Sequence, residues 1–358
     1  MSDTESHAER DQAVALIDAD RPLDAIRVLS RVLAREPDDV VALDLMGLAQ
    51  RGAGRPRDAL AAATRLLSLI PGHPSALRTA ARSHSALGEH DLAHEAAVAG
   101  VRSAPDDPDG LITLADVVLG AGSATPEALW AAEKAVRIAP WASATHVTLG
   151  NVQRRSKEPA KARASYLQAL TIDPHSEAAR NNLALVDLDA NRTQSAVRIF
   201  GQLLRENPRY TVAHRNLVIA VTVAFRNIRL FLIGPYIAMV LVGFGLFGST
   251  PTQQYTGRWT VALLSVAAVL LYTGRFLRAG GPGLRRFLGA TFRSSALFAV
   301  STVLLFVAPA LFVFQAASTP VSSAGPSPST GQSLPVIALI IGNLVLRSWS
   351  KRTLATLP

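Results

Sequence analysis

The sequence predicts an all-α chain: an α-solenoid of about six helix-turn-helix repeats followed by a four-helix transmembrane region. Three observations predict it. Pro37, Pro71, Pro105, Pro140, Pro174 and Pro208 recur at spacings of 34, 34, 35, 34 and 34 residues. Twelve residues before each stands an alanine: Ala25, Ala59, Ala93, Ala128, Ala162 and Ala196. Acidic residues stop at Glu206, and long uncharged apolar stretches follow it.

Each period reads as two helices and a turn. The proline falls just past the second helix, where a missing N–H and a fixed φ end the helix without removing an interior hydrogen bond. The alanine falls early in the second helix, where two paired helices approach most closely and a larger side chain would push them apart. Bulkier residues fill the rest of the seam: Leu43, Met46, Leu111, Leu114, Leu149 and Leu183 on first helices, Tyr166 and Phe200 on second helices. Gly47 and Gly150 occupy the close-approach position of the first helix, and Gly54 and Gly88 the turn between helices. The opening helix, Glu9 to Asp18, begins with Glu9, Arg10, Asp11 and Gln12, which suits a solvent-facing cap. No single repeat can bury its own apolar face, so the array is expected to be stable only as a stack.

This pattern resembles the tetratricopeptide repeat, a 34-residue helix-turn-helix unit, and the resemblance covers residues 6–210 as six units. It implies a TPR-like superhelix that binds other proteins. The sequence departs from the repeat in lacking an aromatic residue at the start of the first helix, and in one extra residue around Gly122 to Pro126. Residues 211–229 are expected to add a final solenoid or linker helix.

Charge divides the chain. Residues 1–210 carry 24 basic and 27 acidic residues, a net of −3, whereas residues 211–358 carry 12 basic and none acidic, a net of +12. The basic excess therefore belongs to the apolar half, which argues against a nucleic-acid partner and for a membrane surface. Four spans are expected in residues 230–350: 230–248, 256–273, 294–314 and 332–349. Each is about the length that crosses a hydrocarbon core, and Tyr255, Trp259 and Tyr272 stand where interfacial aromatics are found. The loop holding Arg275, Arg278, Arg285, Arg286 and Arg293 and the tail holding Arg347, Lys351 and Arg352 are positive, while the loop at 317–332 has no charge. Positive loops stay inside, so the expected localisation is a multi-pass membrane protein (the cell membrane in a prokaryote) with the repeat domain and C-terminus cytoplasmic. The start, Met1 to Asp11, lacks the features of a signal peptide. Leu284, Phe287, Leu288 and Phe292 form one face of a helix within the Arg-rich loop, suited to anionic lipid.

The chemistry expected of the chain is binding rather than catalysis, with no cofactor. There is no cysteine. Apart from Arg258 and Arg347, which lie at span ends, the expected spans hold no Asp, Glu, Lys, Arg or His, and Asn343 is their one strongly polar residue. His90 and His94 are one helical turn apart, but Val98 stands where a zinc protease would place its second histidine, so no metal is assigned. Nucleotide-binding loops and nucleophile elbows are absent.

Middle positions of each first helix should line one face of the solenoid, placing Asn151 and Arg154 beside Asn182 and then Asn216, with Arg155, Arg180 and Arg215 nearby. Amides can bond the backbone of an extended peptide, and arginines pair with carboxylates. Relatives of the repeat hold chaperone tails in a two-carboxylate clamp. Asn151 and Asn182 match its two asparagines, whereas Val147 and Val212 replace its lysines and Asn216 its arginine. The expected function is a membrane-anchored cytoplasmic scaffold for a protein or extended acidic peptide, in contact with membrane lipids and another membrane protein. The alternatives are an assembly subunit of a membrane complex and a transporter of a neutral substrate.

Overall fold

The computed structural model describes residues 2–122, 125–243, 251–296, 298–300, 302–303 and 334–356. It divides into two compact units, Met1–Asn182 and Leu183–Pro358.

In the first unit, helices pair as the ladder predicts: α1 (Ser2–Asp18) with α2 (Pro22–Arg35), α3 (Val40–Gly52) with α4 (Pro56–Leu69), α5 (Pro74–Ala86) with α6 (His90–Ser103), α7 (Pro108–Gly120) with α8 (Pro126–Ile138), and α9 (Ser143–Arg155) with α10 (Pro159–Ile172). All six ladder prolines lie in turns or just past a second helix. A different set of prolines, Pro22, Pro56, Pro74, Pro108, Pro126 and Pro159, opens helices, where no N–H bond is forfeited.

The ladder alanines Ala25, Ala59, Ala93, Ala128 and Ala162 are wholly buried, so each seam is as tight as the spacing requires. Leu29, Leu66 and Leu111 fill the space between seams. Gly150 shows why a side chain is excluded at the close-approach position: an added Cβ would lie 2.5 Å from Cε1 of the buried Tyr166. At the equivalent Gly47 it would lie 3.0 Å from Cγ2 of Thr79.

Two first helices are tied to their neighbours by a side chain that serves twice. Asp39 caps α3 by accepting from the Ala42 N–H at 2.9 Å and pairs with Arg10 of α1 at 2.6 Å. Asp107 does the same for α7, accepting from the Asp109 N–H at 3.1 Å and pairing with Arg78 of α5.

The second unit contains the latter part of α11 (Glu177–Asp189), then α12 (Thr193–Glu206), α13 (Thr211–Gly243), α14 (Pro251–Ser294) and α15 (Leu334–Thr356). Its core brings Phe200, Leu203, Leu217, Val221, Phe276, Leu284, Phe298 and Trp349 together. Phe298 stacks on Phe225 at 5.6 Å and meets Trp349 at 4.6 Å between ring centroids. Helices α12 and α14 touch at Gly201, where a Cβ would stand 2.9 Å from the Gly280 carbonyl oxygen. The next residue, Gly281, has φ 58° and breaks the helical path of α14 ahead of Pro282.

The expectation of four spans, and with it the multi-pass localisation, is corrected. Among the described residues one stretch, Ala262–Pro282, is long and apolar enough to cross a membrane. The segment 230–248 begins inside α13, which runs without a break from Thr211, because Arg226 and Arg229 are good helix formers and separate nothing. Residues 217–225, equally apolar, supply Leu217, Val221 and Phe225 to the core, so apolar composition here marks burial in protein. In α15 the apolar run ends at Leu346, and Arg347, Lys351 and Arg352 continue the same helix. Most of 294–314, and all of the loop at 317–332, lie outside the described residues, and so do the side chains of Arg258 and Asn343.

Candidate peptide-binding face

The first helices of successive repeats present their middle positions on a common face. In α9 and the start of α11 this face carries a connected amide cluster. Asn182 donates through Nδ2 to Asn151 Oδ1 at 2.7 Å, and the Tyr166 hydroxyl donates to the same oxygen at 2.9 Å. Asn181 in turn donates to Asn182 Oδ1 at 3.1 Å. The partners Asn151 and Asn182 are 31 residues apart, the separation that brings a late residue of one first helix against an earlier residue of the next. The same separation brings Arg82 Nε to Thr113 Oγ1 at 3.1 Å.

Tyr166 couples this cluster to the fold. Its ring is buried over Gly150, which fixes the hydroxyl, and the hydroxyl fixes the amide plane of Asn151. Arg154 and Arg180 are partly buried nearby in sequence, and Arg180 donates to the His175 carbonyl at 3.2 Å; Arg155 is exposed. Arg215 and Asn216 stand on α13 in the other unit, Arg215 exposed and Asn216 buried. Asn181, 3% exposed, is a member that sequence reasoning missed. Its adjacency to Asn182 was the available signal.

The histidine pair does not converge on a metal. His94 Nε2 lies 3.0 and 3.1 Å from the two carboxylate oxygens of Glu127, and His90 is exposed. Among the described residues no group of three His, Cys, Asp or Glu side chains could hold a metal ion.

Paired helices stacked on buried alanines, with polar side chains gathered on the first helices, define the α-solenoid class of repeat protein. Residues 10–74, 45–108 and 147–211 match the family model of the tetratricopeptide repeat. Among solved structures it is similar to the Cut9–Hcn1 hetero-tetramer of the APC/C, at 20% identity and a TM-score of 0.52 over 60% of this chain and 43% of that one. It is also similar to a thermophilic tetratricopeptide repeat protein of Thermus thermophilus, at 24% identity and a TM-score of 0.47 over 51% of this chain and 98% of that one. MamA of Desulfovibrio magneticus RS-1 matches at 22% identity and a TM-score of 0.39 over 48% of this chain and 97% of that one. No curated protein matches the chain significantly.

Proposed function

We propose that the chain is a scaffold whose first-helix face holds an extended segment of a partner protein. The observation that carries this reading is the amide cluster of Asn151, Asn182 and Asn181, held in place by Tyr166. Side chains fixed in advance lose little freedom on binding, so more of each hydrogen bond appears as affinity. Arg154, Arg155 and Arg180, within four residues of the cluster asparagines in sequence, add positive charge to the same helices and favour an acidic segment. The test is a peptide array probed with the purified full chain. Peptides that retain the wild-type protein should bind Asn182→Ala about tenfold more weakly, the loss expected of a charge-assisted or buried hydrogen bond. Equal retention of both proteins would move the binding face elsewhere.

Attachment of this scaffold to a membrane is the second part of the proposal, and Ala262–Pro282 supports it. Leu263, Leu264, Leu270 and Leu271 are 58, 64, 61 and 69% exposed along it, an apolar run that protein does not cover. The protein should stay with membranes through an alkaline carbonate wash. Leu264→Arg with Leu271→Arg, each about 3 kcal/mol unfavourable at the centre of a bilayer, should release it. Retention of the double variant would refute attachment through this helix.

A further inference from the structure

Arg51 closes α3 and Arg82 stands in the middle of α5. Their numbers differ by 31, the separation at which Arg82 reaches Thr113 and Asn182 reaches Asn151 across adjacent first helices. The repeat thus sets the two arginines on adjacent first helices, near enough for the Arg82 charge to act on the Arg51 guanidinium. Arg51 is partly buried; its Nε is shielded from water and has no hydrogen-bond partner, and neither has Oε1 of the adjoining Gln50. Among the described residues no carboxylate pairs with Arg51 or with Arg82.

The surrounding charges sharpen the point. Arg78, on the same face of α5, is committed to Asp107. Asp116 of α7 senses Arg82 without forming an ion pair with it, and burial pushes its carboxyl up from the ordinary value. Burial, followed by the charges of Arg82 and Arg78, pushes the Arg51 guanidinium down. Partly buried like charges that no carboxylate pairs are unfavourable in a folded chain, and an anion lodged between them relieves the repulsion and gives the Arg51 Nε an acceptor.

We infer that Arg51 and Arg82 form an anion site that takes a carboxylate of an extended acidic peptide lying along the first helices. Two adjacent planar forks match a carboxylate's paired oxygens, and a second polar station, the Asn151 cluster, lies farther along the same series of helices. This inference rests on the reading that the first-helix face receives a peptide.

The test measures fluorescence anisotropy of labelled hexaglutamate, with hexaglutamine as the neutral probe, against the purified full chain. Hexaglutamate should bind, more weakly as salt rises, and hexaglutamine should not. Arg51→Gln and Arg82→Gln should each weaken binding about tenfold. The exposed Arg57→Gln should leave it unchanged. Arg51→Gln removes a like-charge repulsion and should not melt below the wild type, whereas Arg82→Gln also gives up its bond to Thr113 and its charge near Asp116. Both variants are therefore titrated well below their own melting midpoints, which separates lost binding from lost folding. No binding of hexaglutamate, or unchanged affinity in both arginine variants, would overturn the anion site. Asn182→Ala measured with the same probe separates the two proposals. Loss in that variant alone would leave the amide cluster standing without the anion site. Loss in the arginine variants alone would do the reverse.

Discussion

Gly150→Ala is the sharpest test of how the repeat packs. The new methyl carbon would sit 2.5 Å from Cε1, 2.8 Å from Cδ1 and 2.9 Å from Cζ of Tyr166, far inside van der Waals contact. The ring has no route out, since Tyr166 is fully buried and its hydroxyl is held on Asn151 at 2.9 Å. Overpacking of this kind costs about 1–3 kcal/mol, and losing the phenol bond costs about 1 kcal/mol more. Alanine returns about 1 kcal/mol through its helix propensity. The net is a destabilisation of about 1–3 kcal/mol, which for a unit of this size lowers the melting midpoint by about 2–10 °C. Thermal melts of the full chain followed by far-UV circular dichroism would measure it. Gly100→Ala is the control: its methyl would meet Leu77 Cβ at an ordinary 3.5 Å, so the midpoint should hold or rise. Tyr166→Leu should restore part of the stability lost in Gly150→Ala by vacating the ring's volume. A Gly150→Ala protein that melts at or above the wild type would refute the close-approach account.

Other consequences can be checked on the same material. Ala128→Leu and Ala162→Leu replace wholly buried seam alanines and should each destabilise by about 1–3 kcal/mol in chemical denaturation. Asp39→Ala removes the α3 cap and strands Arg10, so it should destabilise by about 1–2 kcal/mol, more than Asp38→Ala, whose ion pair to Arg65 is exposed. Burial raises the Asp116 carboxyl in the folded chain above its unfolded value. Its ionised form therefore opposes folding at neutral pH, an opposition that fades as pH falls through the raised value and is gone below the unfolded one. Asp116→Asn should accordingly melt higher than the wild type at about pH 7, with the difference shrinking toward about pH 4, measured by melts across that range.

The helix pairs were legible because a 34-residue repeat puts the seam alanine and the terminating proline in phase, and packing forces both. The juxtaposition of Asn151 with Asn182 was legible for the same reason. The role of Tyr166 was only half visible: its place in the seam was read, but its hold on Asn151 depends on the ring packing against Gly150, which spacing alone does not reveal. The ties from Arg10 to Asp39 and from Arg78 to Asp107 share a separation of 29 residues, a regularity present in the sequence but hidden because only two repeats use it. The membrane reading failed where composition has two meanings. Residues 217–225, read as part of a final solenoid or linker helix, are apolar because protein surrounds them, and the stretch expected to span from residue 230 continues the same helix with residue types no different from theirs.

The amide cluster also has a direction. Each link from Asn181 to Asn182 to Asn151 hands a proton the same way, and Tyr166 occupies the remaining lone pair of the last oxygen. Nδ2 of Asn151 is what the chain of amides leaves over, and it has no partner among the described residues. The face therefore offers hydrogens and asks for oxygens. It can greet a carbonyl or a carboxylate, but a lysine tip or an N-terminal amine would bring donor against donor. In the proposed scaffold role, discrimination between acidic and basic segments would follow from the orientation of three side-chain amides, before any net charge is counted.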